Sequence, residues 1–226
     1  MRLRALLVAG CVLTTLLIPA GAADARPVIT KAAATKVAKA GVLKRIDLPR
    51  FLAEPIPADT AQDVADNRTV YACLGIPYPT YAARNFGTAF SKGQYEIDSS
   101  VDVIAKVAGA KADMAAYRST KFPACLKTYL RKTFEEQGGE IQSLSVKVVP
   151  AVVEGADETA AYHLAAVVKV GPRQIVKLDG YGLVARVGPA EISVSPARYD
   201  GVRPKLSQAL ALAAIAAHRL RAKLNP

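Results

Sequence analysis

Apolar and polar residues alternate along several segments of the chain, with the period of two that β-strands show when one face of a sheet is covered. The clearest segment is 95–107, in which Ile97, Val101 and Val103 alternate with mostly polar neighbours. The same period returns in later segments, at 144–148, 162–170, 174–178, 183–187 and 190–195. Turns and hairpin-like spacing separate these segments, so the pattern predicts a mainly antiparallel sheet.

A period of three to four residues marks the segments that we expect to be helical. They are an early helix after Asp59-Thr60, two central helices at about 108–119 and 122–137, and a long closing helix at about 202–224. Gly180, Gly182 and Gly188 lack phosphate-loop or dinucleotide-binding spacing and are interpreted as turns or bulges. The order of elements predicts the α+β class, with one mainly antiparallel sheet, helices packed on it and a long C-terminal helix.

The chain divides into three parts by composition. We expect a signal peptide at residues 1–25, a basic Ala/Lys/Pro-rich tether at 26–58, and a single α+β domain at 59–226. A domain of this length is sufficient to bury a hydrophobic core.

The first 25 residues have the composition of an export signal. Two arginines precede an uncharged stretch at residues 5–23, and Ala23-Asp24-Ala25 fits the small-x-small pattern that signal peptidase cleaves. We therefore expect a secreted protein that begins at or near Arg26. Two alternatives stay open: the stretch is retained as a membrane anchor, since its length is close to the ~20 residues of a spanning helix, or Cys11 is lipidated.

The formal net charge is +11, and much of it is concentrated after the signal. The basic residues of this region, with no acidic residue among them, are Arg26, Lys31, Lys36, Lys39, Lys44 and Arg45. Because residues 26–45 show little apolar periodicity, we interpret them as a mobile, solvated tether. The alternative is a segment that contacts anionic envelope polymers or lipid head groups.

Two of the three cysteines, Cys73 and Cys125, lie outside the export signal. An even pair in an exported chain is most simply a disulfide, and two buried free thiols are the alternative. Neither cysteine has a Cys or His neighbour at the spacing of a zinc site.

Short motifs along residues 60–223 occur in a familiar order. Cys73-Leu74-Gly75 is followed by Asp98-Ser99-Ser100-Val101, and then by an A-D-x-x-A-x-x-S-x-K-F-x-x-C-L stretch at 112–126. A strand pair and an Ala/Leu-rich helix with an Arg-Leu ending complete the series. This series of motifs resembles that of the actinobacterial extracytoplasmic sensor-domain family, whose members are similar to the extracellular domain of PknH-type receptor kinases. The resemblance implies a ligand-binding or sensing domain with a cleft, although the kinase-attached domain has two disulfides where this chain offers one cysteine pair.

The sequence offers few residues for catalysis. It has two histidines, His163 and His218, and no G-x-S-x-G motif that would place a nucleophile beside either of them. His163 alternates out of phase with its apolar neighbours and is expected to face solvent. His218 is expected to act as a cation at a helix end. We therefore predict no catalytic, cofactor-binding or metal-binding residues.

One cluster of basic residues is the candidate surface for an acidic ligand: Arg118, Lys121, Lys127, Arg131 and Lys132. These residues belong to helices whose other face is needed for the core, so a solvated helix surface is the simpler interpretation. Exposed aromatic residues do not interleave with them as nucleic-acid binding would require. The predicted partner is an unknown small molecule or an anionic envelope component.

The function hypothesis is a secreted, sensor-like ligand-binding domain of the cell envelope without catalytic activity and without a stable membrane span once the signal is removed. One alternative is a secreted hydrolase whose site is not recognisable, for which a buried cluster of groups with perturbed acidity in a cleft would speak. The other is a structural or adhesive envelope protein that acts through its basic surface. A flat domain with a disordered tail would favour this alternative.

Overall fold

The computed structural model describes residues 29–224, so the predicted export signal and its cleavage site lie outside the described residues. Within this range the chain forms five helices: α1 (Lys31–Gly41), α2 (Ala61–Leu74), α3 (Val107–Tyr117), α4 (Phe122–Glu136) and α5 (Leu206–Leu224). It also forms eight strands: β1 (Leu52–Pro55), β2 (Tyr81–Asn85), β3 (Thr88–Lys92), β4 (Tyr95–Ile104), β5 (Gly139–Val148), β6 (Glu158–Val170), β7 (Gln174–Val187) and β8 (Ala190–Arg198).

All eight strands pair antiparallel in one sheet, with the order β1-β3-β4-β8-β7-β6-β5. Strands β2 and β3 both pair with the side of β4 that faces away from β8. Strand β2 pairs with residues 101–104 of β4, and β3 pairs with residues 95–97. The four central strands of the sheet, in the order β4, β8, β7 and β6, are each nine or more residues long, so the middle of the sheet is continuous. The predicted α+β class, with a long C-terminal helix packed on the sheet, is confirmed.

Helices cover both faces of the sheet. Helices α1 and α5 pack on one face, which we call the α1–α5 face, against side chains such as Ile97, Val101 and Ile192. Helices α2, α3 and α4 cover the other, the α2–α4 face, where Tyr162 and Val184 belong to a second core. Because successive side chains of a strand point to opposite faces, β6 and β7 contribute to both cores.

The segment 26–58, which the sequence predicts to be a tether, contributes α1 and β1 to the fold. The Thr30 hydroxyl caps α1 by accepting a hydrogen bond from the Ala33 N–H at 3.3 Å. Ala34, Val37 and Ala38 are at most 4% exposed and pack in the core of the α1–α5 face. The prediction was wrong because this apolar helix face consists mainly of alanine, whose weak hydrophobicity leaves little periodic signal.

Three contacts fix this segment to the rest of the fold. A Cβ atom on Gly41 would lie 2.5 Å from Leu220 Cδ2, so glycine permits the close approach of α1 to α5. The Leu43 N–H donates a hydrogen bond to the Ser99 hydroxyl at 3.1 Å. Beyond the helix, the carboxylate of Asp47 accepts hydrogen bonds from both terminal nitrogens of Arg219, at 2.7 and 2.6 Å. The folded unit therefore begins before residue 59.

A disulfide joins Cys73 in the last turn of α2 to Cys125 on α4, with 5.7 Å between the Cα atoms. The predicted pairing is confirmed. Helix α2 begins as predicted at Thr60, which forms a capping box with Asp63. It ends at Gly75, whose φ of 74° is a left-handed conformation that suits glycine. No helix within residues 29–224 is long and apolar enough to cross a membrane.

We expect the packing of α1 to contribute to stability. Replacing Val37 by Ala removes buried methyl groups and leaves a cavity, at a cost of about 2 kcal/mol in the free energy of unfolding. The matched control is Lys36→Ala, at an exposed position of the same helix, which should stay within about 0.5 kcal/mol of the wild type. Denaturant unfolding measures both, and two silent variants would restore the tether interpretation.

We expect the disulfide to contribute about 2–5 kcal/mol to the free energy of unfolding, because it closes a long loop in the unfolded chain. The double variant Cys73→Ser/Cys125→Ser tests this by denaturant unfolding. Peptide mapping of unreduced protein provides the chemical check: Cys73 and Cys125 should be recovered in one linked species. Ready alkylation of both thiols after unfolding without reductant would refute the bond.

Candidate ligand-binding cleft

A cleft lies on the α2–α4 face, between the middle of the sheet and the helices that cover it. The free space in it that a water-sized sphere can enter is about 90 Å³, and the cleft is open to solvent. Small residues of two neighbouring strands form its floor: Gly180 and Gly182 of β7, and Ser193, Ser195 and Ala197 of β8. Alternate residues of a strand share a face, so these five positions leave a depression where larger side chains would have filled the core.

Gly180 and Gly182 do not form turns or bulges, so that prediction is wrong. Both lie in the interior of β7 and pair with β6. Gly180 also lies close to β8, since a Cβ atom there would be 2.8 Å from the carbonyl oxygen of Pro196. Gly188, by contrast, occupies the predicted turn between β7 and β8, with a φ of 58°. Glycine inside a strand is typical of places where a ligand or another strand approaches closely.

The walls of the cleft are apolar. They include Val70 of α2, Phe122, Leu126 and Leu130 of α4, and Tyr162 of β6. The rings of Phe122 and Tyr162 stack with 4.8 Å between their centroids. Helix α4 presents its residues here because its apolar positions recur every three to four residues, as the sequence predicted. Such walls favour an apolar ligand, at roughly 25 cal/mol for each Å² removed from water.

A few polar side chains interrupt the apolar lining. Asn67 of α2 is 3% exposed, and its Nδ2 has no hydrogen-bond acceptor among residues 29–224. The hydroxyls of Tyr71 and Tyr117 lie 3.3 Å apart. Burial raises the pKa of both tyrosines, so each hydroxyl stays neutral. Asn67 also begins an N-x-T sequon, and its burial keeps the amide away from modifying enzymes in the folded state.

At one end of the cleft, Arg84 of β2 holds two carboxylates. Its Nε donates to Asp102 Oδ1 and its Nη1 to Asp59 Oδ2, both at 2.8 Å. The guanidinium also lies 4.4 Å from the ring centroid of Tyr81, within the range of a cation–π contact. Burial raises the pKa of Asp59 to about 6 and also raises that of Asp102, although Arg84 opposes both shifts.

A second pair of carboxyls, Asp113 of α3 and Glu191 of β8, is buried on the same face of the sheet. The two residues are 3% and 4% exposed. Both oxygens of Asp113 and Oε1 of Glu191 are buried and have no hydrogen-bond partner among residues 29–224. Burial raises the pKa of both carboxyls, and the charge of Asp113 further raises that of Glu191. A proton held between the two carboxyls would supply the donor that these oxygens lack.

Comparison with known proteins finds likeness among solved structures. No family model matches the chain, and no curated protein sequence does. Among solved structures, the chain is similar to the extracellular domain of PknH from Mycobacterium tuberculosis, with 11% sequence identity and a TM-score of 0.44. The similarity covers 86% of this chain and 98% of that one. No residue role is transferred from this likeness, and membership of the actinobacterial family stays a prediction.

His163 is buried, against the prediction that it faces solvent. It is 8% exposed, and its Nε2 lies 2.8 Å from Asp179 Oδ1. The alternation correctly placed His163 on the face of the sheet opposite to Tyr162. That face, the α1–α5 face, is also covered by helices, so the side chain is buried. His218 of α5 is more than half exposed, with its Nε2 3.8 Å from Glu154. Both histidines therefore lie away from the cleft lining.

The basic cluster predicted to bind an acidic ligand runs along the exposed side of α4 and the turn before it. Several of its members face acidic neighbours: Arg118 lies 4.0 Å from Glu158, Arg131 3.9 Å from Glu135, and Lys132 3.2 Å from Asp66. Lys121 and Lys127 are exposed. None of the five basic residues belongs to the lining of the cleft. An acidic-ligand surface here stays a prediction.

The polar residues of the cleft and its surroundings are not recognisable as site residues in the sequence, because Asp102, Glu191 and Ser193 occupy the polar positions of alternating strands. Such positions are typical of a solvent-facing surface. Asp113 is the second residue of the A-D-x-x-A-x-x-S-x-K-F-x-x-C-L stretch, and this motif is its only sequence signal. Among the described residues, no group of three or more His, Cys, Asp and Glu side chains is placed to hold a metal ion.

The raised pKa values predict that stability falls as the pH rises from 5 to 8. A carboxyl with a raised pKa binds its proton more tightly when folded, so its stabilising contribution is lost as the pH rises through the folded pKa. Asp59, Asp113 and Glu191 all have this sign. We expect Asp113→Asn to reduce this fall by at least about 1 kcal/mol, because the neutral amide needs no proton.

Denaturant unfolding at the two pH values measures the change. Glu140→Gln, at an exposed carboxylate of β5, serves as the control and should keep the pH dependence of the wild type. An Asp113→Asn variant with the same pH dependence as the wild type would contradict the assignment.

Proposed function

We propose that this chain is an extracytoplasmic, sensor-like domain that binds an apolar small molecule in the cleft of the α2–α4 face. The observation that carries the proposal is the cleft itself, with its floor of small residues and its walls of Leu, Val, Phe and Tyr side chains. Ligand sites in proteins are typically concave, mostly apolar and supplied with a few polar groups. Asn67, with its unused N–H donor, would orient a ligand that carries a hydrogen-bond acceptor.

The disulfide supports a location outside the cytoplasm. Structural disulfides form and persist in oxidising environments such as the bacterial periplasm and the cell exterior. The bond also joins α2 to α4, which supply two walls of the cleft. We therefore propose a location outside the cytoplasm, which agrees with the export signal expected from the sequence.

We propose binding without catalysis because the groups that face the cleft do not form a catalytic set. Ser193 and Ser195 line the floor, whereas both histidines lie away from the lining. A serine nucleophile needs a base within hydrogen-bond reach.

A secreted hydrolase is the second candidate, and one observation favours it. Asp113 and Glu191 are neighbouring carboxyls of raised pKa, which is a property of general acids. Neither belongs to the lining of the apolar cleft, so a ligand bound there would not meet them directly.

The cleft is tested with the neutral fluorophore N-phenyl-1-naphthylamine, whose emission rises in an apolar environment. We expect saturable binding to the wild type and at least about tenfold weaker binding to Ser193→Leu, which fills the floor. The matched control is Ser145→Leu on β5, outside the lining, which should bind as the wild type does. Equal affinity in all three folded proteins would refute the cleft as the binding site.

A further inference from the structure

A second cavity lies outside the cleft, between the loop at residues 76–80, the end of β4 and the first turns of α3. The free space in it that a water-sized sphere can enter is about 490 Å³, and the cavity is open to solvent. Tyr78 and Asp113 belong to its lining, whereas neither lines the apolar cleft. The cavity is therefore a separate site, and a ligand bound in it does not depend on the function proposed for the cleft.

Asp113 brings unused hydrogen-bonding capacity to this cavity. The residue is 3% exposed, and its carboxylate oxygens are short of donors within residues 29–224, where the Tyr71 hydroxyl and a proton shared with Glu191 are the donors within reach. Glu191 Oε1 and the Tyr78 hydroxyl are buried without a partner in the same range. Buried polar atoms are nearly always hydrogen-bonded in folded proteins, so a group of unsatisfied acceptors beside a cavity points to a donor supplied by a ligand.

One aromatic ring, that of Tyr78, belongs to the lining of this cavity, and the rings of Tyr71 and Tyr81 lie next to it. The rings of Tyr71 and Tyr78 meet edge to face with 4.8 Å between their centroids, and Tyr78 meets Tyr81 in the same way at 5.7 Å. Carboxylates next to aromatic rings are the usual surroundings of a bound cation, since both attract positive charge. A primary ammonium group provides three N–H donors and no acceptor, which fits a set of carboxylate acceptors.

We propose that this cavity binds the protonated amine end of a small ligand, with the Asp113 carboxylate as its charge partner. The positive groups nearby do not satisfy Asp113 already. Arg84 is bonded to Asp59 and Asp102, and Arg186 to Glu158 and the Gly188 carbonyl. Lys106 is the remaining cation of the lining, and it lies exposed at the rim. An anionic ligand would instead be repelled by Asp102, Asp113 and Glu191.

Amine binding should be linked to proton release. Without a ligand, Asp113 and Glu191 hold a proton between them, and the ammonium group takes the place of that proton as the donor. The proton passes to the buffer, while the amine stays protonated throughout. The other titratable groups that face the pair are Tyr71, Tyr81, Tyr117, Asp102, Arg84 and Arg186. Of these, the tyrosines stay neutral and Arg84 stays charged, so affinity should increase from pH 5 to pH 8.

The test is an NMR titration of isotope-labelled protein with n-butylammonium chloride at pH 8, following the backbone amides of α3. We expect saturation with a dissociation constant on the order of 1 mM, as a ligand of five heavy atoms permits. n-Butanol, which has the same size without the charge, should bind at least tenfold more weakly. Asp113→Asn should weaken butylammonium binding at least tenfold, whereas Glu140→Gln should leave it unchanged.

Equal binding of butanol and butylammonium, or undiminished binding to a folded Asp113→Asn variant, would overturn the proposal. If Asp113→Asn does not fold, Glu191→Gln decides. This variant keeps the charge of Asp113, so it should still bind butylammonium, and binding should be less dependent on pH than in the wild type. Loss of binding in Glu191→Gln, or an unchanged pH dependence, would also overturn it.

Discussion

The polar side of the central strands is buried under helices. The packing of the α2–α4 face therefore depends on how the buried polar groups find hydrogen-bond and charge partners. Strands β4 and β8 direct Asp102, Glu191 and Ser193 to this face, where α2, α3 and α4 exclude most of the solvent. Buried polar groups cost free energy unless they are paired. Arg84 neutralises part of the cluster, tyrosine hydroxyls occupy another part, and the Asp113–Glu191 pair is left with raised pKa values. The face is therefore packed less completely than an apolar core would be.

The α1–α5 face compensates for this incomplete packing. Its core contains large side chains with no measurable exposure, such as Phe90, Ile97 and Ile192, and Gly41 allows α1 to lie directly against α5. The α2–α4 face instead depends on a covalent link, because the disulfide joins two of the helices that wall the cleft. One face thus supplies stability through packing, while the other keeps space between its helices and the sheet. This difference between the two faces is expected when a binding site needs unfilled space, because loose local packing lowers stability that must be supplied elsewhere.

Strands β4 to β8 and helix α4 could be predicted because their periodicities are carried by Val, Leu, Ile and Phe, whose burial dominates folding. Helix α1 could not, because its buried face is mostly alanine, and a lysine-rich background hid it. The position and the lining of the cleft could not be predicted from the residue pattern for a different reason. The alternation of β4 and β8 fixes which residues share a face, but it does not say whether helices cover that face. The burial of His163 and of Glu191 follows from helices on both sides of the sheet, which is a property of the tertiary fold.

The two cavities are not electrostatically independent, since the same buried charges act on both. Asp102 raises the pKa of Asp113 and Arg84 lowers it, and both belong to the ion-paired end of the cleft. Coulomb interactions among such groups are stronger in a buried cluster than in water, because the effective dielectric constant is lower. A positive charge placed beside Asp113 would therefore favour the ionised form of Asp102, and with it the ion pair to Arg84. Since Asp102 and Tyr81 both line the cleft and Arg84 contacts each of them, a charge bound in the second cavity would act electrostatically on one end of the cleft without touching it.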